Sequence, residues 1–163
     1  MRRALLALAL VFSDAARAEG DALQVVGQAR LEVLWWPVYE SRLYSPGGDY
    51  VEGVRPLRLE IQYLRDVEAQ DLVDHTRKEW QRLGVEGPQS QQWLETLARL
   101  WPDVRKNDLL ALVLDKQDRG TFYLNGKALG AIYDPGFGED FLAIWLSPET
   151  SRPELRLALL GKE

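Results

Sequence analysis

The sequence predicts a single α+β domain, because its 163 residues alternate between groups of strands and pairs of helices. Apolar residues alternate with polar ones from Leu57 to Tyr63, which is typical of a strand with one buried face. From Ala69 to Leu83 the apolar spacing changes to three and four residues, which predicts an amphipathic helix. Asn125-Gly126 predicts a type I′ hairpin turn, since both residues accept positive φ.

The first strands are expected over residues 23–34 and 38–44, where aromatic and β-branched residues are frequent. Trp35-Trp36-Pro37 interrupts them, and we expect a bulge or bend there because Pro37 has no N–H to donate to a sheet. A turn cluster at residues 45–49 precedes the strand that ends at Tyr63.

The central segment predicts two helices and an interior strand. Gly84 stands where a C′ glycine belongs after the first helix. The second helix follows Gly87-Pro88 and ends before Pro102. Residues 109–114 are almost continuously apolar, as expected of a strand covered on both faces.

The last third predicts a hairpin and two more helices. The hairpin spans residues 121–133 around the Asn-Gly turn. Asp134-Pro135 has the pattern of an N-cap followed by proline in the first turn. Ser151 and Glu154 have the spacing of a capping box for a short final helix.

The N-terminus predicts a cleaved signal peptide. Arg2 and Arg3 precede nine apolar residues, and Ala16-Arg17-Ala18 has the small-x-small pattern of a cleavage site. We therefore expect a leader over residues 1–18, a mature domain over 19–163, and a periplasmic or secreted protein. Nine apolar residues are fewer than the about 20 that a membrane span needs, so stable membrane insertion is not expected.

Composition excludes several classes of function. The chain has 20 Lys and Arg against 25 Asp and Glu, and a net charge of −5 disfavours binding to nucleic acid or to an anionic membrane surface. It has no cysteine and a single histidine, His75, so no thiolate or multi-histidine metal site is expected. The sequence predicts no metal and no cofactor, with one alternative: His75 as axial ligand of a haem-like ring, against an exposed surface histidine.

Several motifs keep a common order and spacing along the mature chain. They are Val38-Tyr39 with Leu43-Tyr44, 101–108, 120–126, 130–134, 137–146 and 150–161. Together they resemble the bacterial chalcone-isomerase-like family. The resemblance implies an open-faced β-sandwich, in which a curved antiparallel sheet is backed by helices, with a ligand cleft between the two layers.

The same resemblance bears on catalysis. Plant chalcone isomerases close a flavanone ring with an arginine on an early strand, a threonine near the next strand, and a tyrosine, lysine and asparagine on helices. The threonine position falls on Leu34 and the arginine position near Ala22. Neither side chain can stabilise an oxyanion. The catalytic residues therefore remain unknown, and the sequence favours a binding protein.

Four aromatic residues are candidates for the cleft, since such sites are lined by aromatic groups with a few polar ones. They are Trp36, Tyr39, Tyr63 and Trp80, which, together with Trp35, lie on elements that the family fold places around the cleft. The alternative is that each is ordinary core packing.

Two charged residues are further candidates for ligand binding. Arg42 inside an apolar cleft would hold a carboxylate in a bidentate pair, and Glu60 lies within the alternating strand. The alternative is that Arg42, Arg58 and Glu60 form cross-strand ion pairs on a solvated face of the sheet.

The predicted function is non-catalytic binding of a small amphipathic or aromatic ligand, such as a fatty acid or a haem-like ring, in a cleft between sheet and helices. One alternative is an intramolecular lyase of the chalcone-flavanone isomerase type with relocated polar groups. Another is an interaction module for a second envelope protein.

Overall fold

The computed structural model describes residues 23–162, which form one six-stranded antiparallel sheet and four helices. The strands are neighbours in chain order: β1 (Gln24–Val33), β2 (Trp36–Ser45), β3 (Leu57–Tyr63), β4 (Leu109–Leu114), β5 (Gly120–Leu124) and β6 (Lys127–Ile132). The helices are α1 (Ala69–Leu83), α2 (Pro88–Leu100), α3 (Phe137–Leu146) and α4 (Pro153–Leu159). The predicted α+β class is confirmed, whereas the predicted leader lies outside the described residues.

The sheet has two chemically different faces, because side chains alternate along each strand. On the inner face, Leu59 pairs with Leu43 on one side and Leu112 on the other, and all three are buried under the helices. On the outer face, Glu60 pairs with Arg42 and Ala111. The helices cover only the inner face, as in an open-faced sandwich.

Aromatic rings join the helices to the sheet. Phe137 of α3 lies with its ring centroid 5.5 Å from that of Trp93 in α2 and 6.1 Å from that of Phe122 in β5. Trp80 of α1 packs 5.8 Å from Trp93, and its indole N–H donates to the backbone oxygen of Asp140 at 2.8 Å. These contacts fix the positions of α1, α2 and α3 above the sheet.

The two predicted N-caps, at Asp134 and Ser151, are wrong, because tertiary partners take the side chains that would form them. The α3 helix begins at Phe137 after Gly136, whose φ is 86°, and Asp134 instead accepts a 2.9 Å hydrogen bond from the indole N–H of Trp93. The residue that precedes α4 is Arg152. Ser151 donates to Glu79 of α1 at 2.8 Å rather than capping the helix.

The Asn125-Gly126 hairpin is confirmed, with φ values of 50° and 83° in its two-residue loop. The β1–β2 connection differs from the sequence prediction. Val33 pairs with Trp36, so the loop is Leu34-Trp35, and these residues adopt positive φ values of 48° and 74°.

The expected irregularity near Pro37 is confirmed. Leu31 pairs with Tyr39 while Glu32 pairs with Pro37, so Val38 is the additional residue of a bulge in β2. Pro37 therefore lies within the edge hairpin of the sheet, where a missing N–H is tolerated. Among residues 23–162, no helix is both long and apolar enough to cross a lipid bilayer.

Candidate functional site: a cavity between sheet and helices

A cavity of about 650 Å³ lies between the inner face of β1–β4 and the helices α1, α3 and α4. We call it the sheet–helix cavity. Its volume is within the roughly 300–1,000 Å³ of sites for small organic ligands. Its deep walls are buried and apolar or aromatic: Leu31, Tyr39, Ile61, Tyr63, Leu72, Leu110, Phe141, Ile144, Trp145 and Leu155.

The bulge in β2 and the hairpin of β1 and β2 position the sheet side of this cavity. The bulge at Val38 brings Tyr39 opposite both Leu31 and Tyr63 on the inner face. The rings of Tyr39 and Tyr63 meet edge to face, with centroids 6.2 Å apart. The helix side comes from Leu72 of α1 and Trp145 of α3, which lie on the buried faces of their helices.

The deep part of the cavity offers neutral hydrogen-bond donors. The Tyr39 hydroxyl accepts a hydrogen bond from the indole N–H of Trp145 at 3.1 Å, which leaves its own proton available. Within residues 23–162, no group hydrogen-bonds the Tyr63 hydroxyl, and the buried indole N–H of Trp101 also has no partner. Burial raises the pKa of both tyrosines, so they stay protonated as donors at neutral pH.

Thr76 and Thr150 are also buried in the cavity wall, but their hydroxyls are already engaged. Thr76 donates to the backbone oxygen of Leu72 at 2.9 Å, and Thr150 donates to that of Ile144 at 2.7 Å. The tyrosines are therefore the hydroxyl groups best placed to meet a polar atom of a ligand.

Charged side chains surround the mouth of the cavity rather than its interior. They are Arg65, Asp71, His75, Glu79 and Arg152. Glu79 is held by the hydroxyl of Ser151 at 2.8 Å. The guanidinium of Arg152 makes no hydrogen bond or ion pair to any other group of the described chain. It is therefore available to an anionic group of a ligand.

His75 lies at this mouth and favours its neutral form. Desolvation against the wall of the sheet–helix cavity lowers the pKa of His75. The positive charges of Lys78 and Arg152 lower this pKa further, whereas the negative charge of Glu79 raises it. The side chain remains exposed to solvent, so the wall desolvates it only on one side. An anion beside Arg152 would favour the imidazolium form of His75.

The structure brings two of the predicted site residues, Tyr39 and Tyr63, together in the sheet–helix cavity. Trp80 lies in the aromatic core under α1, where only 1% of it is exposed. Trp36 lies beside the β1–β2 loop and is 71% exposed. Leu34, the position matched to a catalytic threonine, lies in that loop and does not line the cavity.

Arg42 and Glu60 lie on the outer face of the sheet, away from the cavity. Glu60 binds Arg58 at 2.5 Å and accepts a hydrogen bond from the Tyr44 hydroxyl at 2.9 Å. Arg42 is its cross-strand neighbour. The structure therefore places these residues in a polar network of the sheet surface.

Sequence reasoning missed several residues of the cavity. Trp101 and Trp145 have the spacing of core residues, and the structure shows that they also line the cavity. Arg152 carries no local signal except its place before Pro153. Its position at the mouth depends on the contact between α4 and the sheet, which no local pattern reveals.

A second, smaller cavity of about 480 Å³ lies on the outer face. Its floor is Ala111 and Val113 of β4, and charged residues border it. They include Arg58, which is paired with Glu60, and Arg119, which is paired with Asp115 at 2.7 Å. No group of three or more side chains suited to holding a metal ion occurs in the part of the chain that the structure describes.

Comparison with known proteins identifies the class to which this fold and cavity belong. The sequence profile of the chalcone isomerase-like family matches residues 9–161. The chain therefore belongs to the chalcone isomerase-like family, as the resemblance of its motifs predicted.

Two individual proteins illustrate the relationship. An uncharacterized protein of Haemophilus influenzae (strain ATCC 51907 / DSM 11121 / KW20 / Rd) is 35% identical over 141 residues, which cover 85% of this chain and 68% of that protein. The crystal structure of a fatty-acid binding protein of Arabidopsis thaliana matches with a TM-score of 0.66 and 15% identity. The match covers 86% of this chain and 88% of the plant chain, and at this identity it concerns the fold.

Proposed function

We propose that this protein is an exported, non-catalytic binder of a small amphipathic carboxylate of the fatty-acid class. The observation that carries the proposal is the sheet–helix cavity, whose walls are apolar and whose mouth holds Arg152, a guanidinium with no partner among residues 23–162. Apolar surface favours burial of an acyl chain by about 25 cal/mol per Å² removed from water.

The distribution of polar groups gives the ligand an orientation. A carboxylate is costly to bury without a cation, so it belongs at the mouth, where Arg152 and His75 lie. The acyl chain then extends toward Ile61 and Phe141 in the deep part of the cavity. The Arabidopsis protein with a similar fold is named as a fatty-acid binding protein, which supports this ligand class.

The side chains of the cavity suit ligand binding better than ring closure by a lyase mechanism. Such a mechanism needs a cation or aimed donors at the developing oxyanion. In the described chain, the deep cavity holds the neutral donors Tyr39 and Tyr63, and the arginines that line it, Arg65 and Arg152, are exposed at the mouth. We expect a chalcone solution to lose absorbance no faster with the protein than without it.

A displacement titration tests the proposed ligand class. A fluorescent fatty acid should bind at one saturable site, and palmitate should displace it stoichiometrically. The equivalent fatty alcohol should displace it less well, because it cannot pair with Arg152. Absence of saturable binding by any long-chain acid would contradict the proposal, and a Soret band in protein purified from its own cells would assign the cavity to haem instead.

Export is part of the proposal and has its own test. The sequence motif for cleavage lies before Glu19. The mass of the protein recovered from its own cells should correspond to residues 19–163. Recovery of the uncleaved chain in the cytoplasm would contradict export and would leave the proposed ligand class unaffected.

A further inference from the structure

The loop between β1 and β2 exposes a continuous group of apolar side chains. We call Val33, Leu34, Trp35 and Trp36 the apolar tip. Leu34 is 80% exposed, Trp35 is 93% exposed and Trp36 is 71% exposed. Single exposed apolar residues are common on protein surfaces, but a contiguous group at the end of a hairpin marks a site of interaction.

The backbone of this tip is unfavourable for the residues that occupy it. A two-residue hairpin loop with positive φ at both positions favours Asn and Gly, as found at Asn125-Gly126. At the apolar tip the same positions hold Leu34 and Trp35, with φ values of 48° and 74°. A residue with a Cβ atom is sterically strained at positive φ. Such backbone strain is found most often at functional positions.

We propose that the apolar tip binds the surface of a lipid bilayer, with Leu34 and Trp35 inserted at its interface. Tryptophan prefers the boundary between headgroups and acyl chains, and leucine prefers the acyl region. The tip carries no charge. The nearest charges on the hairpin are neutralised locally: Arg30 pairs with Glu32, which directly precedes Val33, at 3.4 Å and with Glu40 on the neighbouring strand at 3.8 Å.

The position of the tip relative to the sheet–helix cavity supports this partner. Val33 belongs to the tip and also lines the cavity, together with Leu31 and Val38 of the same hairpin. A ligand that dissolves in a bilayer would thus meet, beside the inserted tip, the part of the cavity wall that Val33 forms. This step rests on the proposed function, because it assumes that the cavity takes an acyl ligand.

Insertion of the tip can be followed by the intrinsic fluorescence of its tryptophans. Of its six tryptophans, Trp80, Trp93, Trp101 and Trp145 are buried, whereas Trp35 and Trp36 are exposed. Vesicles of brominated phosphatidylcholine, which carry no net charge, should therefore quench and blue-shift the emission of the two tip residues. Because insertion is apolar, binding should change less than about twofold when salt is raised, unlike electrostatic adsorption.

A paired substitution distinguishes the contribution of the tip to vesicle binding from its contribution to stability. Leu34→Asn together with Trp35→Gly supplies residues that suit positive φ, so the variant should melt at an equal or higher temperature. It should bind the vesicles at least tenfold more weakly. The matched control is Val51→Ser, which removes an apolar side chain that is 66% exposed outside the tip and should leave vesicle binding unchanged.

Delivery of palmitate distinguishes this inference from the proposed function. The paired variant should bind palmitate delivered from cyclodextrin as the unaltered protein does, but should load from vesicles at least tenfold more slowly. Failure to bind palmitate from cyclodextrin would overturn the proposed function, while vesicle quenching would still report on the tip. The proposal that the tip binds a lipid bilayer is overturned if vesicles do not quench the tip tryptophans. It is also overturned if the paired substitution leaves vesicle binding unaffected but abolishes self-association or binding to another protein.

Discussion

The two faces of the sheet differ in whether their charged side chains have partners within the protein. On the outer face, the carboxylate of Glu60 is satisfied by Arg58 and by the hydroxyl of Tyr44. On the inner face, the side chains of the strands are apolar or neutral, and within residues 23–162 the guanidinium of Arg152 lies without a partner at the cavity mouth. A satisfied network stabilises the sheet, whereas an unpaired cation beside an apolar cavity is suited to an external anion.

The strongest test of this contrast is to fill each cavity in turn. Leu72→Trp should occupy the sheet–helix cavity and raise the Kd for palmitate at least about tenfold, which corresponds to about 1.4 kcal/mol. Val113→Trp adds a similar ring to the outer cavity and should leave that Kd unchanged. Calorimetric titration of both variants checks the result, and equal losses would contradict the assignment of the ligand to the inner face.

The buried tyrosines predict a dependence of stability on alkaline pH. Burial raises the pKa values of Tyr39 and Tyr63, so above about pH 10 the unfolded chain releases protons that the folded chain retains. The free energy of unfolding should therefore fall as pH rises, by up to about 1.4 kcal/mol per pH unit for each tyrosine.

Two matched variants isolate this contribution. Tyr63→Phe should reduce the slope of unfolding free energy against pH between about pH 10 and 11.5, measured by urea denaturation. Tyr133→Phe, at a tyrosine that is 59% exposed, should leave the slope unchanged. An unaltered slope in Tyr63→Phe would show that its hydroxyl is accessible to bulk water.

On the outer face, Glu60→Gln should lower stability without altering the ligand site. The substitution removes the charge that binds Arg58 and weakens the acceptor for Tyr44. We expect a loss of about 1 kcal/mol in the free energy of unfolding and an unchanged Kd for palmitate. Thermal and chemical denaturation measure the first quantity, and a changed Kd would show that the two faces are coupled.

The smallest expected effect is at the exposed mouth. Arg152→Gln should weaken binding of palmitate by about 1.4- to fivefold, because exposed ion pairs contribute roughly 0.2–1 kcal/mol. Binding of the fatty alcohol should not change. Arg42→Gln provides the control, since Arg42 is an arginine of the opposite face. A larger loss in Arg42→Gln than in Arg152→Gln would reverse the assignment.

Local sequence patterns predicted the sheet and its faces well. The alternation in β3 correctly predicts that Ile61 and Tyr63 share a face, and the Asn-Gly turn marks one hairpin. The same alternation places Tyr39 and Arg42 on opposite faces, because they are three residues apart in one strand. The candidate residues could thus have been divided between the two faces from the sequence.

The cavity itself depends on contacts between distant segments. Its mouth forms where Glu79 of α1 meets Ser151, which is 72 residues away in the chain. A helical wheel places Trp80 on a buried face but cannot distinguish the aromatic core from a cavity wall. The Leu34-Trp35 loop was missed because its residues contradict the preference for Asn and Gly.

Native mass spectrometry of the protein isolated from its own cells tests the central claim most directly. We predict a non-covalent complex with one long-chain carboxylic acid, which organic extraction releases, and its absence from Leu72→Trp purified in the same way. An unliganded unaltered protein that also fails to take up palmitate when it is supplied in solution would contradict the account.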